Sequence, residues 1–351
     1  MELKNKLTVS ASPHVRSAET TTGIMLDVII ALLPAGVASI FIFGIKALLV
    51  ILTAVVSCVL AEFLSRKAMK KEQTIGDLSA VVTGLLLAYN LPSNIPLWIV
   101  VLGSVIAIVV VKQMFGGIGQ NFVNPALLAR IVLMSAFPAR MSASAFAGLN
   151  RMGWDIDAAT GATPMGLISL KGGIAEGAPT LMDMFLGTTS GCLGEVSALA
   201  LILGGLYLII RKVISPIIPC IYVGSVAVIM AIAFRFDMGA VAYELLGGGL
   251  LIGAIFMATD YTTSPITKKG KVVYAIGCAL ITCVIRLFGS YPEGVSFSIL
   301  LMNICTPLIN ILSTVTSSFT IVPDALVILE RTSSSGKSTL IKMLYREERP
   351  T

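Results

Sequence analysis

Charged residues and histidine are scarce in this sequence. Only 13% of the 351 residues are Asp, Glu, Lys or Arg, about half the share usual in a soluble domain, and His14 is the single histidine. One His leaves little room for a histidine-based metal site or a catalytic triad. The six Cys include no CxxC pair, which excludes a disulfide framework and a zinc or iron–sulfur ligand set.

Apolar residues dominate what is present. They make up 56% of the chain, and the mean hydropathy is +0.92. These values exclude a soluble globular enzyme and a disordered protein. The net charge of +6 does not indicate nucleic acid, because the cations are spread through an apolar chain, as in the loops of membrane proteins. We therefore expect membrane lipid and no nucleic acid as a partner. The polar first 22 residues predict no cleavable signal peptide.

Apolar runs long enough to cross a bilayer predict an all-α polytopic membrane protein with about ten transmembrane helices. The third and fifth runs are short and interrupted by polar residues. The ten runs lie near 23–43, 46–64, 76–91, 95–112, 124–138, 194–210, 216–234, 240–259, 272–288 and 295–312.

The distribution of Lys and Arg predicts that both termini are cytoplasmic. With ten spans, thirteen cations fall in cytoplasmic segments: Lys4, Lys6, Arg16, Arg66, Lys67, Lys70, Lys71, Lys112, Arg211, Lys212, Lys268, Lys269 and Lys271. Five fall in extracytoplasmic segments: Lys46, Arg140, Arg151, Lys171 and Arg235.

A long extracytoplasmic loop, 139–193, divides the chain into two halves of five spans. Because each half has an odd number of spans, the halves face opposite ways, which is the layout of an inverted repeat. A faint similarity between residues 84–92 and 253–265 favours the repeat. Ordinary helix–Pro-turn–helix units explain the same similarity.

The long loop contains the segment DAATGATP, residues 157–164. Thr163 is a hydroxyl residue beside Gly161 and Ala162, which leave room for a bulky group to approach. Pro164 favours an extended backbone at Thr163. By spacing alone, the segment is best interpreted as a simple turn.

The same segment resembles the D-x-x-[ST]-G-A-[TS] pattern at which a flavin transferase esterifies the last hydroxyl with the phosphate of FMN. Three other stretches, 12–14, 116–126 and 258–265, resemble the same family in order. From about residue 5 to 312 the chain looks like the family that contains the D subunit of the Rnf complex and the B subunit of the sodium-pumping NADH:quinone oxidoreductase. The short N-terminus fits the Rnf protein better.

This resemblance implies a membrane flavoprotein domain over 1–312, with FMN attached covalently to Thr163. The rest of the attachment segment is Asp157, Thr160, Gly161 and Ala162. It further implies a component of a redox-driven translocase of the prokaryotic plasma (inner) membrane that couples electron transfer between ferredoxin and NAD+ to Na+ or H+ transport. The implied partners are the flavinylated G subunit, the A and E membrane subunits, the cytoplasmic B and C subunits, and the flavin transferase.

A second, noncovalent flavin, riboflavin, is expected by analogy with the quinone-reducing relative. Asn121 and Asn124, in a Gly-rich stretch, are interpreted equally well as part of a flavin or ion cavity or as a packed re-entry turn. Arg130 is a candidate contact for a flavin phosphate or ring oxygen.

Other charges at membrane depth are candidates for an ion route or for pairing at an interface with another subunit, because ionisable groups there are costly. They are Asp27, Asp77, Glu244, Asp260 and Arg286. Among the cysteines, Cys192 borders the long loop and is the candidate for reactivity. No metal ligands are expected.

The tail, 313–351, changes character. It resembles half of a P-loop from a cell-division ABC ATPase, but Arg331 stands where the motif requires Gly, so we expect no ATP binding. Two rival functions stay open. One is a small-solute transporter or channel without a redox role, and the other is the quinone-reducing B subunit of the sodium-pumping enzyme.

Overall fold

A computed structural model describes residues 20–141, 168–169, 173–174, 178–187, 189, 191–195, 197–289 and 294–315. The described chain is helical apart from two short strands, β1 (Ile168–Ser169) and β2 (Gly173–Ile174), which pair antiparallel with Ile168 opposite Ile174. The chain divides into two units, Met1–Ser313 and Thr314–Thr351. The second unit, which contains the P-loop-like segment, lies outside the described residues from 316 onward.

Thirteen helices follow one another along the described chain, besides a 3-10 turn at Ile75–Asp77 between the second and the third. They are α1 (Thr21–Phe43), α2 (Ile45–Ala68), α3 (Ser79–Tyr89), α4 (Leu97–Gln113), α5 (Pro125–Ala136), α6 (Pro138–Met141), α7 (Leu181–Leu186), α8 (Ala198–Ile210), α9 (Ile217–Ala233), α10 (Met238–Leu246), α11 (Leu250–Met257), α12 (Lys268–Phe288) and α13 (Val295–Val315). The last part of α4, Ile106–Gln113, and most of α11, Gly253–Met257, are π-helical.

Four helices, α1, α2, α12 and α13, are long and apolar enough to cross a membrane. The pair α10 and α11 adds a fifth if that bent pair is one span. The shorter apolar helices α3, α4, α5, α8 and α9 overlap the remaining predicted segments. The structure thus supports a helical membrane protein with four or five candidate spans. An 11-residue helix such as α3 extends only about 16 Å, roughly half the hydrocarbon thickness.

The eighth predicted segment, 240–259, is a bent pair of helices, α10 and α11, and not one continuous helix. The chain bends by 60° between α10 and α11. Gly248 and Gly249 at the break have φ of 70° and 65°, a backbone conformation that glycine adopts without steric cost. The carbonyls of Gly247 and Gly248 accept hydrogen bonds from Arg286 on α12, so the break is satisfied inside the protein.

Small residues let the helices approach closely. A Cβ built on Gly204 of α8 would lie 2.1 Å from the carbonyl oxygen of Ala31 on α1, and one on Gly84 of α3 would lie 2.8 Å from Cα of Val55 on α2. Close backbone approach at small residues is the usual packing mode of helices in a membrane, where apolar burial supplies little driving force between helices. These contacts draw helices of both halves into one core.

Candidate functional site

The candidate site is a cavity among helix ends. The space open to the centres of water molecules is about 110 Å³, enough for several waters or part of a small organic molecule. Its walls come from the N-terminal parts of α1, α3 and α5 and the C-terminal parts of α4, α8 and α11. Most of the wall is apolar. The polar side chains on it are Ser79, Thr83, Lys112, Asn121, Asn124, Thr259, Asp260, Tyr261 and Thr262.

Asn121 and Asn124, singled out from the sequence, both line this cavity. Asn124 is the N-cap of α5: its side-chain oxygen accepts from the N–H groups of Ala126 and Leu127, and Pro125 occupies the first helical position. Its Nδ2 reaches the carbonyl oxygen of Met257 at 3.5 Å. The Oδ1 atom of Asn121 is buried and accepts no hydrogen bond within the described chain. A buried acceptor on a cavity wall calls for a donor from whatever fills the cavity.

A buried ion pair stands beside the cavity. The Lys112 Nζ lies 2.9 Å from Oε2 of Glu62 and 2.6 Å from Oγ of Ser79. The other carboxylate oxygen of Glu62 accepts from Thr74 at 2.9 Å and from Gln113 at 2.8 Å. Both oxygens of the carboxylate are thereby hydrogen-bonded, which is what a buried charge requires.

This cluster contains the residues that sequence reasoning missed. Lys112 was counted among the cations of the cytoplasmic segments and not as a site residue; it is 2% exposed and belongs to the last turn of α4. Arg66 and Lys67, counted in the segment between the second and third predicted spans, belong to the last turn of α2. Glu62 was overlooked, although it is the one acidic residue in the apolar stretch 28–71. That isolation was the available signal.

Asp260 lies in the loop after α11 and lines the cavity. Its carboxylate accepts from the hydroxyls of Thr262 at 2.9 Å and Thr263 at 3.1 Å. Burial raises the pKa of Asp260, and these hydrogen bonds offset part of the increase. The carboxylate is therefore more readily protonated than an exposed one.

A second, polar opening adjoins the cavity and shares Ile24, Val213 and Tyr261 with it. At this opening Asp27 accepts from the hydroxyl of Tyr207 at 2.8 Å and from Arg211 at 3.2 Å. Asp27 thus forms an ion pair within this chain, between α1 and the end of α8.

Arg130 is placed away from this cavity. Its guanidinium donates to Oδ1 of Asn90 at 2.6 Å and approaches Sγ of Cys192 at 3.7 Å. Asn90 also donates to the Leu86 carbonyl oxygen and contacts Sδ of Met257. The structure therefore brings Asn121 and Asn124 together on the cavity, and it places Arg130 in a separate buried polar group.

The remaining membrane-depth charges have hydrogen-bond partners within the chain. Glu244 and Arg286 form a salt bridge of 2.9 Å whose side chains are 4% and 0% exposed. Asp77 accepts from the N–H and hydroxyl of Ser79 at the start of α3. The attachment segment with Asp157, Thr160, Gly161, Ala162 and Thr163 lies outside the described residues, as does His14.

Cys192 is buried, and burial raises the pKa of its thiol to about 12, although the nearby Arg130 charge lowers it. Very little of the thiol is then ionised at pH 8, so we expect N-ethylmaleimide to leave Cys192 unmodified in the folded protein. Peptide mass spectrometry before and after denaturation in SDS measures this. Rapid labelling of the folded protein at pH 8 would contradict the buried position.

Comparison with known proteins identifies the family. The model of the NQR2, RnfD, RnfE family matches residues 8–317. The chain belongs to this family. The D subunit of the Na+-translocating ferredoxin:NAD+ oxidoreductase complex of Acetobacterium woodii is 50% identical over 305 residues, which cover 86% of this chain and 92% of that protein.

Two further relatives are also named as D subunits. That of the proton-translocating ferredoxin:NAD+ oxidoreductase complex of Clostridium ljungdahlii is 45% identical over 88% of this chain and 94% of that protein. That of the ion-translocating oxidoreductase complex of Halorhodospira halophila is 38% identical over 86% of this chain and 92% of that protein. The names differ in the ion, which is sodium in one relative and the proton in another.

Proposed function

We propose that this chain is the D subunit of an ion-translocating ferredoxin:NAD+ oxidoreductase, the Rnf complex, and thus part of a redox-driven translocase for Na+ or H+. The observation that carries the proposal is segment 157–164, ending its motif in Thr163, in a chain of this family. FMN is attached through its phosphate to Thr163, within the segment that also holds Asp157, Thr160, Gly161 and Ala162. When bound, FMN supplies the electron transfer. The covalent tether keeps the flavin at a high effective concentration near its redox partners.

The proposed topology has ten spans in two inverted halves of five in the plasma (inner) membrane, with both termini cytoplasmic and 139–193 outside. The cavity supports it, because all six helix ends that form its walls are assigned to the cytoplasmic side. At the opposite ends, Lys46 donates to Asn94 at 3.1 Å, and Trp98 meets Phe137 edge to face at 5.2 Å. An exposed Trp is common where a helix leaves the bilayer.

The cavity is the proposed site of the second, noncovalent flavin, riboflavin. Apolar side chains such as Met25, Leu86 and Phe256 offer surfaces for a flat ring, and Oδ1 of Asn121 is an acceptor awaiting a donor. The role of Asn124 is to hold the start of α5 and thereby the cavity wall. Arg130 has a structural role at Asn90 in this proposal, and flavin contact there is no longer proposed.

The partners follow from the redox chemistry. The sequence has no dinucleotide fingerprint and no cluster ligands, so NAD+ and ferredoxin bind other components of the complex. Electrons pass between the flavin on Thr163 and that of the flavinylated G subunit. The remaining proposed partners are the A and E membrane subunits and the cytoplasmic B and C subunits, together with the flavin transferase that modifies Thr163.

Covalent flavin tests the proposal directly. The full chain, expressed with a flavin transferase, is expected to give a fluorescent band on a denaturing gel under ultraviolet light. Thr163→Val is expected to remove that fluorescence completely, because valine has no hydroxyl oxygen to form the phosphoester with FMN. Thr160→Val, three residues earlier in the same segment, is the matched control and is expected to keep it.

The alternative outcomes separate the rival functions. A dark wild-type band with a transferase that modifies another substrate would remove the redox proposal and favour a small-solute transporter. Fluorescence that persists in Thr163→Val but disappears in Thr160→Val would place the flavin on Thr160 instead. Quinone-dependent activity of the assembled complex would identify the quinone-reducing B subunit of the sodium-pumping enzyme.

A further inference from the structure

The ion pair between Lys112 and Glu62 has its positive member on the cavity wall. Lys112 and Ser79 line the cavity, whereas Glu62 does not. The ammonium group carries three N–H donors, and the contacts to Glu62 and Ser79 use two of them. The positive end of the pair therefore faces the cavity, with the carboxylate behind it.

Lys112 is held firmly in that orientation. The π-helical end of α4 directs both Lys112 and Gln113 to the same carboxylate of Glu62, one residue to each oxygen. Ser79, which accepts from Lys112, is itself fixed by donating to Asp77. Isolated π-helical turns recur at functional sites. The ammonium is thus preorganised, with little freedom to move away from the cavity.

Two charged side chains of the described residues line the cavity itself, and Asp27, Arg211 and Lys212 lie at the adjoining opening. The two that line the cavity are Lys112 and Asp260. The Asp260 carboxylate is satisfied by Thr262 and Thr263, and burial favours its protonated form. The wall around them is largely apolar, so a single charge has a stronger effect here than in water.

We propose that Lys112 contacts the flavin bound in this cavity and makes the protein hold reduced flavin more tightly than oxidised flavin. This inference rests on the second flavin of the proposed function. Reduction adds electron density to the flavin ring, and a fixed ammonium nearby stabilises that density. Lys112 positions the flavin and raises its midpoint potential. Glu62, the counterion of Lys112, determines how strongly the ammonium charge acts in the cavity.

The test compares two variants that differ only at residue 112. Both are made in the full chain carrying Thr163→Val, so that the covalent flavin is absent, and riboflavin is the added probe. One carries Glu62→Gln, and the other carries Glu62→Gln together with Lys112→Gln. Glu62→Gln is present in both because removing Lys112 alone would leave a buried carboxylate without its partner. The midpoint potential of the bound flavin is measured by spectroelectrochemical titration, and the dissociation constant of riboflavin is measured in both redox states.

Removing the ammonium is expected to weaken binding of reduced flavin about tenfold and to change binding of oxidised flavin little. That ratio corresponds to a potential lower by about 30 mV for a two-electron couple. Glu62→Gln alone is expected to raise the potential above that of Thr163→Val, because it removes the countercharge. The midpoint potential is thus expected to fall when the ammonium is removed and to rise when its counterion is removed. A purely structural role of Lys112 predicts no such opposite shifts.

Lys46→Gln is the matched control. It removes the same charge from a lysine that contacts Asn94 and does not line the cavity, and no potential shift is expected. Lys112→Arg, which keeps the charge, is expected to shift the potential less than Lys112→Gln. Equal potentials in the two Glu62→Gln variants would overturn the role of Lys112 while leaving the flavin site intact. Failure of folded Thr163→Val protein to bind riboflavin would overturn the cavity flavin and this inference together.

Discussion

We expect Gly204→Val to prevent the chain from folding into a monodisperse protein. The built Cβ lies 2.1 Å from the carbonyl oxygen of Ala31, far inside van der Waals contact, and 3.1 Å from Cζ of Phe256. The closest atom belongs to the backbone of α1, so the clash is relieved only by moving a whole helix. Overpacking costs about 1–3 kcal/mol where side chains can adjust, and we expect at least the upper value here.

Size-exclusion chromatography in detergent and a thermal unfolding curve measure this effect. Gly224→Val on α9 is the matched control, because a Cβ there meets nothing within 4 Å. It is expected to keep the wild-type elution profile and to lower Tm only slightly. A normal profile for Gly204→Val would contradict the close crossing of α1 and α8.

Arg286→Met is expected to lower stability by about 3–5 kcal/mol, the usual cost of removing one partner of a buried ion pair. The Arg286 guanidinium donates at 2.6 Å to the carbonyl oxygen and at 2.9 Å to the carboxylate of Glu244, and it also reaches the carbonyl oxygens of Gly247 and Gly248. Its loss leaves a buried carboxylate and three backbone carbonyls without this donor. The break between α10 and α11 should therefore loosen.

Arg211→Met provides the comparison, because the Arg211 side chain is 58% exposed in its pair with Asp27. Exposed pairs contribute about 0–1 kcal/mol, so its Tm should fall far less. Arg286→Met combined with Glu244→Gln should recover part of the loss, since no unpaired charge then remains. Equal destabilisation by Arg286→Met and Arg211→Met would show that burial is not the cause.

The local elements followed from the sequence because their causes are local. Apolar runs of sufficient length form helices in a bilayer, and each predicted segment contains or overlaps an apolar helix. The cap at Asn124 followed by Pro125 is likewise a short-range signal. The break at 247–249 was missed, because glycine and leucine are both apolar and a hydropathy window does not distinguish a bend from a continuous helix.

The site depended on contacts between distant residues. From the sequence, Lys112 was interpreted as one of the cytoplasmic cations. Its partner Glu62 lies 50 residues earlier, and no sequence pattern predicts that the two are in contact. Arg130 lies less than two turns after Asn124, the N-cap of the same short helix, yet its position on α5 directs it to Asn90 and not to the cavity. Asn121 and Asn124 were candidates from the Gly-rich stretch and the family resemblance, and only the structure places them on the same cavity as Asp260.

The sequence by itself determined the class of protein, the apolar helices and the motif that ends in Thr163. Composition, hydropathy and a contiguous motif are properties of neighbouring residues, so they need no three-dimensional information. The tertiary structure alone decided which helix ends enclose the cavity and which buried charges pair. Those outcomes depend on helix rotation and close approach, because a charge in an apolar interior is tolerated only where its partner arrives from another segment of the chain.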